Sequence, residues 1–247
     1  KILATLGPKS LNKNIIRKLD NSGVNIFRIN LSHIKLEELE KTIKLIKSST
    51  KKPICIDTEG AQVRTGKLNN KSLYLIKNKK YKIFNSSKNP LSFYPDKIIK
   101  KIIVNDIISI DFNSATVKVI RKEKNFIEIK VLIPGKISPN KAVTVNRKIK
   151  LDPMTRKDLE AIKIAKKFNI NHYALSFTNN SKNVELLRKK IGNNKTIISK
   201  IESISGIKNL KKILNKTDSV LIDRGDLSRE VLIEKVPFFQ KYIIKTA

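Results

Sequence analysis

Apolar positions along this chain repeat with two different periods, and the change of period divides it into three stretches. Ile2 to Gly7 is a short apolar run closed by the turn residues Gly7-Pro8-Lys9-Ser10, which predicts a buried strand; an amphipathic helix follows from about Lys13 to Asp20 and a second strand from Asn25 to Asn30. Leu36, Leu39, Ile43 and Ile46 then recur at spacings of three and four, the signature of a helix with one buried face over Leu36 to Lys47, and Pro53 to Asp57 is a third strand. From about Thr65 to Leu151 the period becomes two. β-rich runs at Ser72 to Ile76, Tyr81 to Phe84, Ile107 to Ile110, Ala115 to Ile120, Phe126 to Leu132 and Ala142 to Val145 follow one another between turn residues, with little sign of helix. Helical spacing returns at Arg156 to Phe168. A strand at His172 to Phe177, a helix from Ser181 to Ile191, a strand at Thr196 to Ile201, a helix from Ile207 to Leu214, a strand at Ser219 to Asp223 and a helix opening at Val236 complete the pattern.

Strands separated by helices imply parallel βα units, in which chemistry collects at the carboxyl ends of the strands. The middle stretch reads as a β domain inserted into that series, giving three segments: 1–65, 66–150 and 151–247. Six βα-type strands are visible where a closed barrel of this kind needs eight, so the sequence reads as a piece of a longer protein.

Composition narrows the class. With 247 residues, 40% hydrophobic, and only 8 Gly and 8 Pro, the chain can bury a sizeable core and is neither fibrous nor disordered in character. No run of about 18 apolar residues occurs, so no membrane association is expected. One cysteine, Cys55, lies in an apolar run; it can form no internal disulfide and suits a reduced, cytoplasmic compartment. Lys+Arg 53 against Asp+Glu 21 gives a formal charge of +32. Such a field attracts anions, but the lysines are spread from end to end, without a basic arm or a set of aromatics for stacking bases, so nucleic acid is not the expected partner.

Candidate chemistry falls at strand ends. Lys200-Ile201-Glu202 and Arg224-Gly225-Asp226-Leu227 put a lysine and two carboxylates at neighbouring ends; this suits a magnesium ion, which takes oxygen ligands, or else a salt-bridged rim with no chemistry. Gly225 offers backbone N–H groups to an anion at the start of a helix. Arg28, Asn30, Ser32 and His33 follow the second strand, and Asp57, Thr58 and Arg64 the third. The arginines suit forked contacts to phosphate, and the oxygens of Asn30, Ser32, Asp57 and Thr58 suit a second, weaker cation site. His172 has the ordinary placement of a strand cap.

These stretches resemble the pyruvate kinase family. Lys1 to Ser10 resembles its opening strand and turn, Arg28-Ile29-Asn30-Leu31-Ser32-His33 its R-x-N-x-S-H motif, and Asp57-Thr58-Glu59-Gly60-Ala61-Gln62-Val63-Arg64-Thr65-Gly66 its D-T-K-G-P-E-I-R-T-G motif. Ile198 to Glu202 and Arg224 to Leu227 complete the series in the family's order. The resemblance implies an α/β fold, a partial (β/α)8 TIM-type barrel with an inserted small β-barrel domain serving as a lid. It implies Mg²⁺-dependent phosphoryl transfer from phosphoenolpyruvate to ADP, giving pyruvate and ATP, in a full-length protein that is a homo-oligomer. Lys200 would be the catalytic residue; Arg28, Lys200, Gly225 and Asp226 would contact substrate; Asn30, His33, Arg64 and Lys141 would contact nucleotide. Glu202 and Asp226 would hold Mg²⁺, with Asn30, Ser32, Asp57 and Thr58 as K⁺ ligands.

The chain departs from the family pattern at several places. Glu59 and Ala61 stand for Lys and Pro; Gln62 stands for the Glu that accompanies the matched threonine in potassium-dependent members; Asp223 precedes Arg224 where the family has Ala; Asp111-Phe112-Asn113 stands for D-D-G. Asn140 to Thr144 loosely resembles K-K-G-V-N. The alternatives are a divergent relative, inactive or acting as a metal-dependent lyase or aldolase on pyruvate-like acids, and a basic binding protein without catalysis. Cleavage of 2-oxo acids without nucleotide marks the lyase, and salt-sensitive nucleic-acid affinity marks the binder.

Overall fold

In the computed structural model, which describes residues 1–68, 70–86, 89–95 and 98–247, strands and helices alternate at both ends of the chain while strands follow one another in the middle. In chain order the elements are β1 (Leu3–Leu6), α1 (Lys13–Asn21), β2 (Ile26–Asn30), α2 (Leu36–Lys47) and β3 (Ile54–Asp57). Next come β4 (Val63–Leu68), β5 (Leu73–Leu75), β6 (Lys80–Phe84), β7 (Leu91–Tyr94), β8 (Ile107–Ile110), β9 (Ala115–Lys122), β10 (Phe126–Ile133), β11 (Gly135–Ile137) and β12 (Ala142–Val145). The last series is α3 (Arg156–Lys167), β13 (His172–Leu175), α4 (Ser181–Ile191), β14 (Thr196–Ile201), α5 (Ile204–Lys208), α6 (Leu210–Leu214), β15 (Ser219–Ile222), α7 (Arg224–Leu227) and α8 (Val236–Thr246). The chain divides into two compact units, Lys1–Ala61 with Asp152–Ala247, and Gln62–Leu151.

The first unit is a six-stranded parallel sheet in the order β1-β2-β3-β13-β14-β15. Its helix-facing side carries the main core: Phe27 and Ile29 of β2, Ile54 and Ile56 of β3, Tyr173 and Leu175 of β13, and Ile197 and Ile201 of β14 pack with Leu39, Ile43 and Ile46 of α2 and Ala161, Ile162 and Ala165 of α3. The helices enter this layer with satisfied ends. Thr155 and Asp158 form a capping box at α3, and Asn180 and Asn183 form another at α4, each satisfying backbone donors that a helix start leaves orphaned. On the opposite face of the sheet the apolar layer is small, with Cys55, Ala174 and Ile198 buried and Leu3, Ile26 and Leu221 packed against them.

Three sequence expectations need correction in this unit. The helix expected at Ile207 to Leu214 is two helices: Ser203 caps α5 by accepting from Gly206 N, so helix begins at Ile204, and Asn209 interrupts it by donating to the carbonyls of Asn179 and Ser205. The strand expected to reach Phe177 stops at Leu175, because Phe177 adopts a left-handed backbone (φ 49°) and donates its N–H to Glu202 Oε2 at 2.6 Å. Similarly, β15 stops at Ile222, since Asp223 turns to cap α7.

The second unit closes as a seven-stranded barrel in the order β10-β6-β7-β4-β12-β8-β9, beside the two-stranded pair β5 and β11. Its interior follows the period of two: Ala115, Val117 and Val119 of β9 and Ile127, Ile129 and Val131 of β10 all point into one buried cluster. β4 escapes a hydrophobic reading because a polar residue occupies an inward position, and β7 because it is only four residues long. Thr65 is buried and donates its hydroxyl to Ser138 O at 2.7 Å while accepting from Lys141 N at 2.8 Å, and Ser92 is buried between Leu91 and Phe93. β11 is invisible for a different reason. A Cβ on Gly135 would lie 1.7 Å from the backbone oxygen of Ser114, so only glycine lets β11 approach. We expect Gly135→Ala to destabilise this unit by about 2–3 kcal/mol through forced backbone displacement, read as a lower thermal midpoint; an unchanged midpoint contradicts the close approach.

Candidate active site

The polar cluster of the first unit is set by strand periodicity. Moving two residues toward the carboxyl end from each member of the small apolar layer keeps the same face of the sheet: Leu3 leads to Thr5, Ile26 to Arg28, Cys55 to Asp57, Ala174 to Ser176, Ile198 to Lys200 and Leu221 to Asp223. The parallel register sets Thr5 opposite Arg28 and staggers others, with Arg28 opposite Cys55, Asp57 opposite Ala174 and Lys200 opposite Leu221, so the side chains meet across neighbouring strands at offsets within this one face. An apolar layer thus ends in a polar one where the strands end.

Contacts run through this layer from the first strand to the last. Arg28 Nε donates to Thr5 Oγ1 at 2.7 Å, and its Nη1 lies 3.2 Å from Asp57 Oδ2. Ser176 Oγ donates to Asp57 Oδ1 at 3.1 Å and accepts from Lys200 Nζ at 3.1 Å. The Lys200 ammonium stands 3.5 Å from Asp57 Oδ2, 2.8 Å from Glu202 Oε1 and 3.6 Å from Asp223 Oδ2. Lys200 is 4% exposed and Glu202 1%. A charge so deeply buried is retained only with partners, and three carboxylates supply them.

Burial and charge oppose each other at each group. Burial pulls Lys200 down, but Glu202, Asp57 and Asp223 outweigh it and hold the ammonium above its ordinary range. Burial pushes Asp57 up against the opposing pull of Lys200 and Arg28. Glu202 is pushed up to about 7, chiefly by burial and further by the nearby charge of Asp226, although Lys200 and the Phe177 N–H pull it down. Cys55, just beneath, is pushed up to about 12 by burial and by Asp57, which makes it an inert thiol.

Glu202, Asp223 and Asp226 each present an oxygen within 4.8 Å of the others. Glu202 Oε1 and Asp57 Oδ2 are sealed from solvent and accept no aligned hydrogen bond, the 2.8 Å approach of Lys200 to Glu202 being an ion pair without that alignment. Buried carboxylate oxygens without an aligned donor, beside two further carboxylates, are the donor set that a hard divalent cation takes.

The loop after β3 is held from α3. Asp158, fully buried, accepts from Glu59 N at 2.7 Å, Gly60 N at 3.2 Å and Thr155 N at 2.8 Å. Gly60 has φ +72°, and a Cβ there would lie 2.7 Å from Ser176 O, so the turn presses directly on the residue that bridges Asp57 and Lys200. Glu59 pairs with Lys157 Nζ at 3.0 Å and accepts from Thr155 Oγ1 at 3.1 Å.

A family model described as "Pyruvate kinase, barrel domain" matches residues 1–247. The chain belongs to the pyruvate kinase family. The pyruvate kinase of Thermotoga maritima is 31% identical over 99% of this chain and 55% of its own length, that of Buchnera aphidicola 32% over 100% and 55%, and a plastidial pyruvate kinase of Arabidopsis thaliana 31% over 99% and 45%. The chain therefore spans about half the length of these relatives.

Among the residues expected from the pyruvate kinase motifs, Arg28, Asp57, Lys200 and Glu202 are joined by the contacts above, with Asp226 beside Glu202. Asn30 is the register partner of Asp57, but its Oδ1 accepts from Ser32 N at 2.9 Å. Thr58 Oγ1 accepts from Ser176 N at 3.0 Å. Three of the four expected potassium ligands are thus already engaged by the chain's own donors. His33 is exposed after β2. Arg64 and Lys141 belong to the second unit, where Arg64 Nη1 donates to Asn140 O at 3.4 Å and Lys141 pairs with Asp111 at 3.3 Å. Gly225 needs no glycine-only backbone, since an added Cβ would meet only Asp223 Oδ1 at 3.5 Å.

Sequence reasoning missed Thr5, Ser176 and Asp158. The first two were within reach, as the polar residue two places beyond an inward apolar one. Asp158 was signalled as the fourth residue of Thr155-x-x-Asp158, a capping-box spacing, but nothing local said that its carboxylate also holds a loop 98 residues away.

Proposed function

We propose that the full-length protein is a pyruvate kinase that transfers the phosphoryl group of phosphoenolpyruvate to ADP in the presence of Mg²⁺. The observation that carries this reading is a buried Lys200 ammonium within 3.6 Å of Asp57, Glu202 and Asp223 at the carboxyl ends of parallel strands, in a chain of this family.

Phosphoryl transfer asks the protein for position and charge neutralisation. Glu202 and Asp226 would hold the divalent cation, which when bound supplies charge for the phosphoryl oxygens and the enolate. Lys200 is held by Ser176 and Asp57 and presents its charge to the same place. Arg28, fixed by Thr5 and Asp57, offers the rest of its guanidinium to a phosphate or carboxylate. Because these groups are ordered by one another, little reorganisation is needed as charge develops. No step is assigned to potassium, three of whose four expected ligands, Asn30, Asp57 and Thr58, accept hydrogen bonds from the chain itself. Arg64 and Lys141 are proposed nucleotide contacts, with His33 and Asn30, and Gly225 a substrate contact.

The reading extends to architecture. The six parallel strands would be consecutive members of a (β/α)8 barrel, with the unit Gln62–Leu151 inserted after the third strand as a lid. The proposed setting is cytoplasmic and homo-oligomeric; among the described residues no helix is long and apolar enough to cross a membrane.

The test is an assay of the full-length protein with phosphoenolpyruvate, ADP and Mg²⁺, following pyruvate through a lactate dehydrogenase couple. Turnover that requires both nucleotide and divalent cation is expected. Folded, metal-loaded protein that makes no pyruvate rejects the reading, and cleavage of a 2-oxo acid without nucleotide replaces it with the lyase.

A further inference from the structure

We infer that Asp223 is a third carboxylate ligand for the divalent cation that Glu202 and Asp226 would hold, an inference that rests on the phosphoryl-transfer reading above. Asp223 stands where the family pattern has alanine, so no motif assigns it a role. Its position is nonetheless determined by the fold. It lies two residues beyond Leu221 on the face that carries Asp57, Ser176 and Lys200, and its carboxylate comes within 4.8 Å of oxygens of both Glu202 and Asp226.

The two oxygens of Asp223 are used differently. Oδ1 accepts from Asp226 N at 3.4 Å and caps α7, whereas Oδ2 meets Lys200 Nζ at 3.6 Å. Glu202 is arranged in the same manner: Phe177 N fixes Oε2 at 2.6 Å, and Oε1 is turned into the cluster without an aligned donor. Capping needs an oxygen but not a charge, and asparagine caps as well as aspartate. The charge of Asp223 therefore has a use beyond the cap. Its Oδ2 stands with the sealed Oε1 of Glu202 and an oxygen of Asp226 in one cluster of oxygens. Divalent ions gain affinity with the number of charged oxygens offered, so this site binds its cation without waiting for substrate oxygens.

The experiment titrates the full-length protein with Mn²⁺ alone, without substrate, following free Mn²⁺ by electron paramagnetic resonance in wild type, Asp223→Asn, Asp223→Ala and Glu202→Gln. Both Asp223 variants are expected to weaken Mn²⁺ binding by about tenfold or more; Asp223→Asn keeps the cap and leaves Lys200 with Asp57 and Glu202, so its metal-free thermal midpoint lies above that of Asp223→Ala. Undiminished affinity in both Asp223 variants, with binding lost in Glu202→Gln, overturns the inference and leaves the proposed function standing. Absence of substrate-free Mn²⁺ binding in the wild type also overturns the inference, and the pyruvate assay alone then decides the proposed function.

Discussion

Replacing Lys200 by methionine in the full-length protein lowers kcat for pyruvate formation by several orders of magnitude, about 10³-fold or more, since it removes a buried cation from the place where negative charge develops. The same substitution leaves Asp57, Glu202 and Asp223 without the ammonium that stands within 3.6 Å of each. Breaking a buried ion pair from one side costs about 3–5 kcal/mol, so a measurable loss of stability accompanies the loss of rate. Its pH dependence has a definite sign. Glu202 in the folded protein already titrates near 7, above the ordinary 4.5, so the folded state binds the extra proton and stability declines as pH rises from about 4.5 to about 7. Without Lys200 that window extends upward, and the variant melts higher at pH 6 than at pH 8, by more than the wild type does. The rate assay and thermal melts at the two pH values check both statements, and an unchanged kcat in folded Lys200→Met protein would sink the catalytic assignment.

Asp158→Ala is the second large effect, and it acts outside the cluster. Three backbone N–H groups, of Glu59, Gly60 and Thr155, lose their acceptor in a site that excludes solvent. An orphaned buried donor costs about 1–3 kcal/mol, and three together are expected to remove at least about 3 kcal/mol. The turn they hold carries Asp57 and Thr58 at its start and presses Gly60 on Ser176. Activity therefore falls with stability, although Asp158 touches none of the proposed reacting groups. Asp158→Asn separates the contributions, because one oxygen still accepts while the amide meets an N–H head-on; its stability lies between those of wild type and Asp158→Ala. Denaturant unfolding of the full-length variants measures this, and an alanine variant as stable as wild type contradicts the loop-holding role.

The helix Leu36–Lys47 and the strand Thr196–Ile201 were legible to the residue, because a buried stripe and a doubly buried strand impose their periods on sequence. The strands β4 and β7 were not, since the inward hydroxyl of Thr65 breaks the apolar alternation of β4 and β7 offers only the four residues Leu91–Tyr94. Nor was Gly135, which is required by a carbonyl 21 residues away and not by any neighbour in sequence.

At the site, the sequence by itself determined which chemical groups are present and at which strand ends: Arg28, Asp57, Lys200, Glu202 and Asp226, together with their resemblance to a family. Local pattern can do this because each motif is contiguous and each strand end is marked by its own turn. Only the tertiary structure decided how those groups are connected. Thr5, Ser176 and Asp223 join the motifs into one chain of contacts through parallel register, a property of neighbouring strands that no single segment contains. The lysine at the centre likewise owes its elevated pKa to carboxylates from three different strand ends, because Coulomb attraction depends on distance in space and burial on what surrounds a group, and neither is written along the chain.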